Sequence, residues 1–313
     1  METVGRFAPT PSGDVHMGNA FCYLLAWLSA KQQGGRIVLR MEDVDTPRVV
    51  AGKAQQTLDD LRWLGLTWDC GPENEVPTAD FFQSARREIY NGIFEKLKSG
   101  DEVYPCFCSR ADLLNASAPH AEDGHSIYPG ICARLTEAQR REKANLRNPA
   151  WRIRTPDECF SFDDGLQGHV SMNLAREYGD FAIRRADGIY CYQFAVAVDD
   201  ALMGVNEVVR SRDLLLSTPQ QLFIFGKLGI SPPKYIHIPM ILNSDGSRMA
   251  KRGCSTAIKS LREKYSPGEI LGRLAFLAGQ QEDFSPVSLD ALLENFSWDR
   301  VPKEDIPLPG NMF

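Results

Sequence analysis

The first forty residues alternate apolar blocks with chain breakers in an order that predicts strand, loop, helix and strand. GRFAP, from Gly5, is a short apolar run that stops at Pro9 and Pro11. From Val15 to about Lys31 the apolar positions recur at helical spacing with no further proline, and Gly34 and Gly35 end the run. RIVLRME, Arg36 to Glu42, is rich in β-formers and reads as a buried strand. This β-loop-α-β order opens a nucleotide-binding, doubly wound parallel sheet, so the fold class expected is α/β of the Rossmann type.

Beyond it, the stretches from Ala51 and from Asp80 read as amphipathic helices. Between about 103 and 187 the pattern turns irregular, with clustered cysteines, prolines and short strands such as WRIRT. This segment is predicted to be an insertion that splits the sheet. YCYQFAVAVDDALMG resumes a buried pattern and places Tyr192 at or near a strand end. VNEVVRSRDLLLSTPQQLFIFGKLG gives a short strand, a loop and a helix. KYIHIPMILNSDG gives a final strand, and the rest is a loop followed by helices. The organisation expected is a catalytic α/β domain over 1–245, split by the insertion, and a helical region over 246–313.

Composition narrows the class. Of 313 residues, 43% are hydrophobic and 24% charged, which suits a globular enzyme. No apolar run reaches 18 residues, and the N-terminus lacks a basic flank and apolar core, so the expectation is a cytoplasmic protein with no membrane span and no signal peptide. A net charge of −6 argues against a chain that simply coats nucleic acid, but a local basic patch can still meet RNA phosphates. Arg86 with Arg87, Arg140 with Arg141 and Lys143, and Lys259 with Arg262 and Lys264 are candidates, with solvated helix faces as the alternative.

The chemistry concentrates in a few strings. In PTPSGDVHMGN, two prolines and a glycine set a tight turn before a helix that begins near His16. Backbone N–H groups at a helix start suit a phosphate. His16 can donate a ring N–H, Gly18 lets a purine approach the backbone, and Asn19 adds a neutral donor and acceptor. Downstream, SRMAKRG presents Lys251 between Arg248 and Arg252, a cation suited to offset charge building on phosphates. PCFCSR places Cys106 and Cys108 one residue apart, and Tyr128 and Cys132 follow in YPGIC. Thiolates at this spacing are good zinc ligands, and a tetrahedron needs a fourth group. His120 and His125 lie in the same stretch and offer the usual nitrogen ligand; a trio of buried free cysteines is the plain alternative.

RFAPTPSGDVHMGN closely resembles the first signature of class I glutamyl- and glutaminyl-tRNA synthetases, with Thr10 where serine is usual. SRMAKRG is similar to their second, Lys-Met-Ser-Lys-Ser-like signature, with Arg248 for the first lysine and Ala250 for the serine. Arginine keeps the charge but is bulkier, and alanine removes one possible hydrogen bond to phosphate, so these departures bear on rate and leave the chemistry as it is. STPQQ is close to the family's STPxQ. The Cys-x-Cys and Tyr-x-x-x-Cys pattern resembles that of the glutamyl-queuosine tRNA(Asp) synthetases, the branch lacking an anticodon-binding domain. The short stretch after Lys251 agrees with that branch.

That resemblance implies activation of L-glutamate with ATP and Mg²⁺, followed by transfer to queuosine in the anticodon of tRNA(Asp), by a monomer. It implies His16 and Lys251 as the catalytic pair, with Gly18 and Asn19 also on ATP. It implies Arg6, Phe7, Ala8, Pro9, Thr10, Glu42, Tyr192 and Arg210 around glutamate, Arg210 on the γ-carboxylate and Glu42 on the ammonium. It makes Tyr128 the fourth ligand of one structural zinc with Cys106, Cys108 and Cys132. A guanidinium for each carboxylate and a carboxylate for the ammonium is also what the substrate's charges demand. The duller alternatives are an Arg6–Glu42 salt bridge and Tyr192 as plain core. A truncated synthetase charging tRNA(Glu), or a non-catalytic glutamate- or RNA-binding paralogue, are the competing functions.

Overall fold

Phe7, Ile37 and Leu39 have no solvent exposure. Burying them is what turns the first and third apolar runs into neighbouring parallel strands, β1 (Val4–Phe7) and β2 (Arg36–Leu39). The computed structural model describes residues 2–74, 78–109, 111–113, 127–247, 256–310 and 312–313. The strands pair from Val4 opposite Arg36 to Phe7 opposite Leu39. Helix α1 (Met17–Gln32) joins them and buries Met17, Phe21, Leu24, Leu25 and Leu28 among others, on almost every face. A helix that apolar must lie inside the molecule. Here it lies between the strands and the C-terminal helices. After α2 (Lys53–Trp63) the chain returns along β2, where Leu39 N donates to Cys70 O at 2.8 Å.

The second amphipathic stretch becomes 3₁₀ turns first and reaches regular helix only at α3 (Arg87–Ser99). The insertion follows. It holds an antiparallel sheet of β3 (Val103–Cys106), β4 (Ala150–Ile153) and β7 (Ala182–Arg184), with the exposed helix α4 (Glu137–Leu146) between β3 and β4. WRIRT contributes most of β4, as its β-rich pattern predicts. A separate hairpin, β5 (Cys159–Asp164) and β6 (Gly168–Asn173), turns back so that Gly165 N donates to Tyr235 O at 2.9 Å.

The apolar run after the insertion forms α5 (Tyr192–Leu202), so Tyr192 opens a helix instead of ending a strand. A second parallel pair then forms from β8 (Glu207–Ser211) and β9 (Lys234–Ile238), linked by α6 (Thr218–Leu228), which packs on α5. The two pairs meet where Asn206 N donates to Val4 O at 3.0 Å and Val4 N donates to Asn206 Oδ1 at 2.7 Å. This junction sets Arg6 on β1 beside the strand that carries Arg210. KYIHIPMILNSDG is not one strand: Pro239 interrupts it, and the short β10 (Ile241–Leu242) pairs with a later strand, β11 (Ile306–Pro307). Proline has no N–H to give a ladder. Helices α7 (Pro267–Leu277) and α8 (Leu289–Asn295) close over α1. Among the described residues no helix is long and apolar enough to cross a membrane.

Candidate active site and cysteine cluster

Helix α1 begins at the predicted place because His16 caps it. The His16 ring accepts the Asn19 N–H through Nδ1 at 3.4 Å, and the Asn19 side chain accepts the His16 N–H at 3.3 Å, a reciprocal capping box. A neutral imidazole whose Nδ1 accepts carries its proton on Nε2. The cap therefore turns His16 into a donor at Nε2. Gly18 matters here in a way its spacing did not suggest: a Cβ there would stand 3.1 Å from two atoms of the His16 ring.

His16, Gly18 and Asn19 line a cavity of 380 Å³ together with Arg6, Ala8, Tyr192 and Arg210. That volume suits a small-molecule site. A smaller cavity of 110 Å³ adjoins it through shared residues and is lined by Ala8, Pro9, Thr10, His16 and Asn19, among others. Seven of the predicted residues thus meet in the larger cavity, and Pro9 and Thr10 border the smaller one. Phe7 does not: its ring is fully buried in the core against Tyr23, so only its backbone belongs near the loop. Glu42 lines neither cavity. Lys251, Arg248, Ala250, His120 and His125 lie outside the described residues. The Thr256 carbonyl, five positions after Lys251, accepts the Met17 N–H at 3.1 Å, so Thr256 lies beside the His16 cap.

The suggested Arg6–Glu42 pair is not what forms. Arg6 Nε binds Asp200 Oδ2 at 3.2 Å, and Glu42 accepts from Arg40 Nη2 at 3.0 Å. Arg40, with no exposure at all, also binds Asp200 at 2.8 Å and stands 3.6 Å from Asp199. Asp199 in turn holds Arg86 at 2.7 Å and accepts from Tyr90 and Gln83. Arg86 is therefore buried in this network and is not part of a basic RNA-facing patch. Burial weighs against every charge here, but the mutual pairing outweighs it for Arg6, held above its ordinary value by Asp200 and Glu42, and for Asp200, held below its own by Arg6 and Arg40. For Glu42 burial wins and its carboxyl is pushed up. Burial also pushes the Tyr192 hydroxyl up to about 12, with Glu42 adding to it.

Four arginines are buried among the described residues: Arg6, Arg40, Arg86 and Arg210. Three have carboxylate partners; Arg210 has none among the described residues. Its guanidinium is instead held by neutral acceptors: His237 Nε2 on Nε at 2.9 Å, Gln221 Oε1 on Nη1 at 2.7 Å and Thr218 Oγ1 on Nη2 at 2.8 Å. A guanidinium has five N–H donors. Three are used, which leaves one on each terminal nitrogen, the number a bidentate carboxylate takes. Arg40, Asp199, Asp200 and His237 were not singled out by sequence, although two adjacent aspartates in an apolar helix and a histidine in an apolar strand were the available signals.

In the insertion, the Sγ atoms of Cys106, Cys108 and Cys132 all lie within 4.8 Å of one another, Cys108 and Cys132 at 3.6 Å. Two sulfurs on one tetrahedral zinc stand about 3.8 Å apart. Tyr128 Oη is 3.5 Å from Cys106 Sγ and 4.0 Å from Cys108 Sγ. The residues present thus fit a four-ligand metal site with Tyr128 as the oxygen. Hydrogen bonding with Cys132, Tyr128 and Arg152 holds the Cys106 thiol below the usual thiol range, while Cys108, Cys132 and Tyr128 are all pushed up, so the cluster by itself favours one thiolate and a bound metal would have to displace the other protons.

The comparisons with known proteins agree with this geometry. The family described as tRNA synthetases class I (E and Q), catalytic domain, matches residues 2–302. The chain is 47% identical to a glutamyl-Q tRNA(Asp) synthetase of Nitratidesulfovibrio vulgaris, over 98% of this chain and 96% of the relative. It is 44% identical to one of Symbiobacterium thermophilum, over 98% and 96%. A crystal structure of a glutamate tRNA ligase from Elizabethkingia meningosepticum in complex with its amino acid superposes with a TM-score of 0.83 at 25% identity, covering 100% of this chain and 68% of that one. With its helix-capping histidine, its paired parallel strands and a family match along nearly its whole length, the chain belongs to the class I tRNA synthetases for glutamate and glutamine.

Proposed function

We propose that the protein is a ligase that activates L-glutamate with ATP and transfers it to queuosine in the anticodon of tRNA(Asp). The observation that carries the substrate is Arg210, a buried guanidinium in the cavity wall with no carboxylate partner among the described residues and one N–H left on each terminal nitrogen. A γ-carboxylate completes it, whereas a γ-carboxamide would set its NH₂ against a group that only donates. The near full-length likeness to proteins named glutamyl-Q tRNA(Asp) synthetases supports the acceptor.

In the first step the α-carboxylate of glutamate attacks the α-phosphate of ATP in line, and pyrophosphate leaves. In the second, a hydroxyl of the queuosine diol attacks the mixed anhydride, and AMP leaves. No enzyme nucleophile is needed; catalysis is positioning and charge stabilisation. His16 donates from Nε2 to phosphate, Gly18 and Asn19 hold the nucleotide, and Lys251 meets the departing charge. Arg6 turns the rest of its guanidinium to glutamate, Glu42 attracts the ammonium, and Ala8, Pro9, Thr10 and Tyr192 shape the wall. Mg²⁺ accompanying ATP would screen phosphate charge. Cys106, Cys108, Tyr128 and Cys132 would hold a structural zinc that supplies folding energy to the insertion.

The domain reading follows the same logic: 1–245 as the catalytic unit, interrupted by the insertion at about 103–187, and 246–313 as the helical, stem-contacting region. Two assays test the function. Glutamate-dependent ATP–pyrophosphate exchange is expected without any tRNA; its absence would point to a non-catalytic paralogue. Glutamylation is expected on queuosine-containing tRNA(Asp) and not on unmodified tRNA(Asp) or tRNA(Glu); charging of tRNA(Glu) would sink the acceptor assignment.

A further inference from the structure

His237 occupies an unusual position for a residue in an apolar strand. It has no exposure, lies opposite Arg210 in the β8–β9 register, and uses both ring nitrogens. Nδ1 stands 2.6 Å from Asp164 Oδ2, and Nε2 accepts the Arg210 Nε–H at 2.9 Å. A guanidinium cannot accept, so Nε2 must be bare and the ring proton must sit on Nδ1, facing the carboxylate. Asp164 is itself tied down. Its Oδ1 accepts the backbone N–H groups of Leu166 at 3.0 Å, Gln167 at 2.9 Å and His237 at 3.1 Å. It closes β5, in the hairpin that the insertion folds back against β9.

We propose that Asp164 and His237 are positioning residues for Arg210: the carboxylate fixes the imidazole tautomer, and the imidazole fixes the rotation of the guanidinium so that its remaining N–H groups face the substrate carboxylate. Neither residue lines the cavity, so neither touches glutamate. The hydrogen bond from the strand holds Arg210 Nε, and Gln221 and Thr218 of α6 hold the terminal nitrogens. Without the Nε contact only the two anchors on the terminal nitrogens remain, and both come from α6. The neutral state the device needs is favoured by burial, which lowers the His237 value to about 4, and by the charge of Arg210.

The inference rests on Arg210 as the glutamate carboxylate site, and two substitutions separate the two bonds. Asn at 237 places an amide near the Nδ1 position and keeps the Asp164 contact but not the Arg210 one. Gln reaches the Nε2 position with its carbonyl oxygen and keeps the Arg210 contact. Glutamate binding by calorimetry and exchange kinetics are measured for both. His237→Asn is expected to weaken glutamate binding and raise its KM about 10- to 100-fold, the weight of one hydrogen bond to a charged group, with the KM for ATP unchanged. His237→Gln is expected to stay within about threefold of the parent. Equal losses in both variants, or equal movement of the ATP and glutamate KM values, overturn the positioning role. Failure of the unsubstituted protein to bind glutamate at all overturns the underlying site as well. Binding without exchange in the unsubstituted protein overturns the catalytic reading alone, and the calorimetric comparison still decides the role of His237.

Discussion

Arg6 Nε lies 3.2 Å from Asp200 Oδ2, and both side chains are almost entirely out of water. Asp200 also holds Arg40 at 2.8 Å, so one carboxylate serves two buried guanidinium groups. Removing one member of a buried pair strands the other's charge. Asp200→Ala is expected to cost about 3–5 kcal/mol, read as a shift of the denaturation midpoint. A loss under about 1 kcal/mol would mean that the network is solvated in practice. The pH dependence has a definite sign. Because the folded carboxyl is held below its ordinary value, its stabilisation is complete above the ordinary carboxylate range and is lost only as pH falls through the lower, folded value.

Arg210 offers a sharper test of substrate binding. Its three neutral partners match a planar fork and not a point charge. Arg210→Lys keeps the charge, loses the bidentate geometry and leaves Gln221, Thr218 and His237 short of a donor. The expected result is a fall in kcat/KM for glutamate of about 10²- to 10³-fold, roughly 3–4 kcal/mol, with ATP binding unaffected. Exchange kinetics at varied glutamate would show it. A lysine variant with parental kcat/KM would remove Arg210 from the site.

Gly18 and His16 are coupled sterically. A methyl at Gly18 would press on the imidazole at 3.1 Å, so Gly18→Ala is expected to turn the ring off its cap and raise the KM for ATP about tenfold. The helix itself should persist, since alanine is a better helix former than glycine. An unchanged KM with a higher melting temperature would show that the ring has room to yield.

The parts of this site that were legible in sequence were local. PTPSGDVHMGN carries its turn, its cap and its glycine within eleven residues, and the cysteines announce themselves by spacing. The reasons for failure elsewhere were long-range. Arg6 finds Asp200 across 194 positions and Arg40 finds it across 160, and no period in the chain encodes such partners. Arg86 reads as a surface base beside Arg87 until Asp199, 113 positions on, takes it inside. Tyr192 reads as a strand end because an apolar run of that length fits strand or helix alike; packing on α6 decided for helix.

His237 gives a pH prediction opposite to the habit for histidines that gain an acid partner. Burial depresses it to about 4, the Asp164 hydrogen bond opposing this and the Arg210 and Arg6 charges adding to it. Its unfolded value is 6.5. Between these values the unfolded chain binds the extra proton, so stability is fully present above 6.5 and falls with pH down to about 4. The full difference is on the order of 3 kcal/mol. Denaturation midpoints between pH 7 and 5 are expected to fall, and less steeply in His237→Gln. Parallel slopes for the two proteins would place the titration on other groups.

The cysteine cluster can be tested without any activity assay. Three thiols and a phenol whose ring lies 3.8 Å under the Arg152 guanidinium form a compact donor set at the end of β3, packed with Tyr104 and Phe107. Burial and the hydrogen bond with Cys106 push the Tyr128 hydroxyl above its ordinary value, so a bound metal would itself have to displace that proton. If the set holds zinc, the purified protein should contain about one zinc per chain, and a strong chelator should lower its melting temperature and release protease sites in the insertion. Cys132→Ser should lose most of the metal, because it removes a buried sulfur that also accepts the Phe107 N–H at 3.3 Å. Tyr128→Phe is the more telling variant: it deletes only the oxygen, so retained metal with unchanged affinity would show a three-thiolate site completed by another group, and loss of about 10- to 100-fold in affinity would make Tyr128 the fourth ligand.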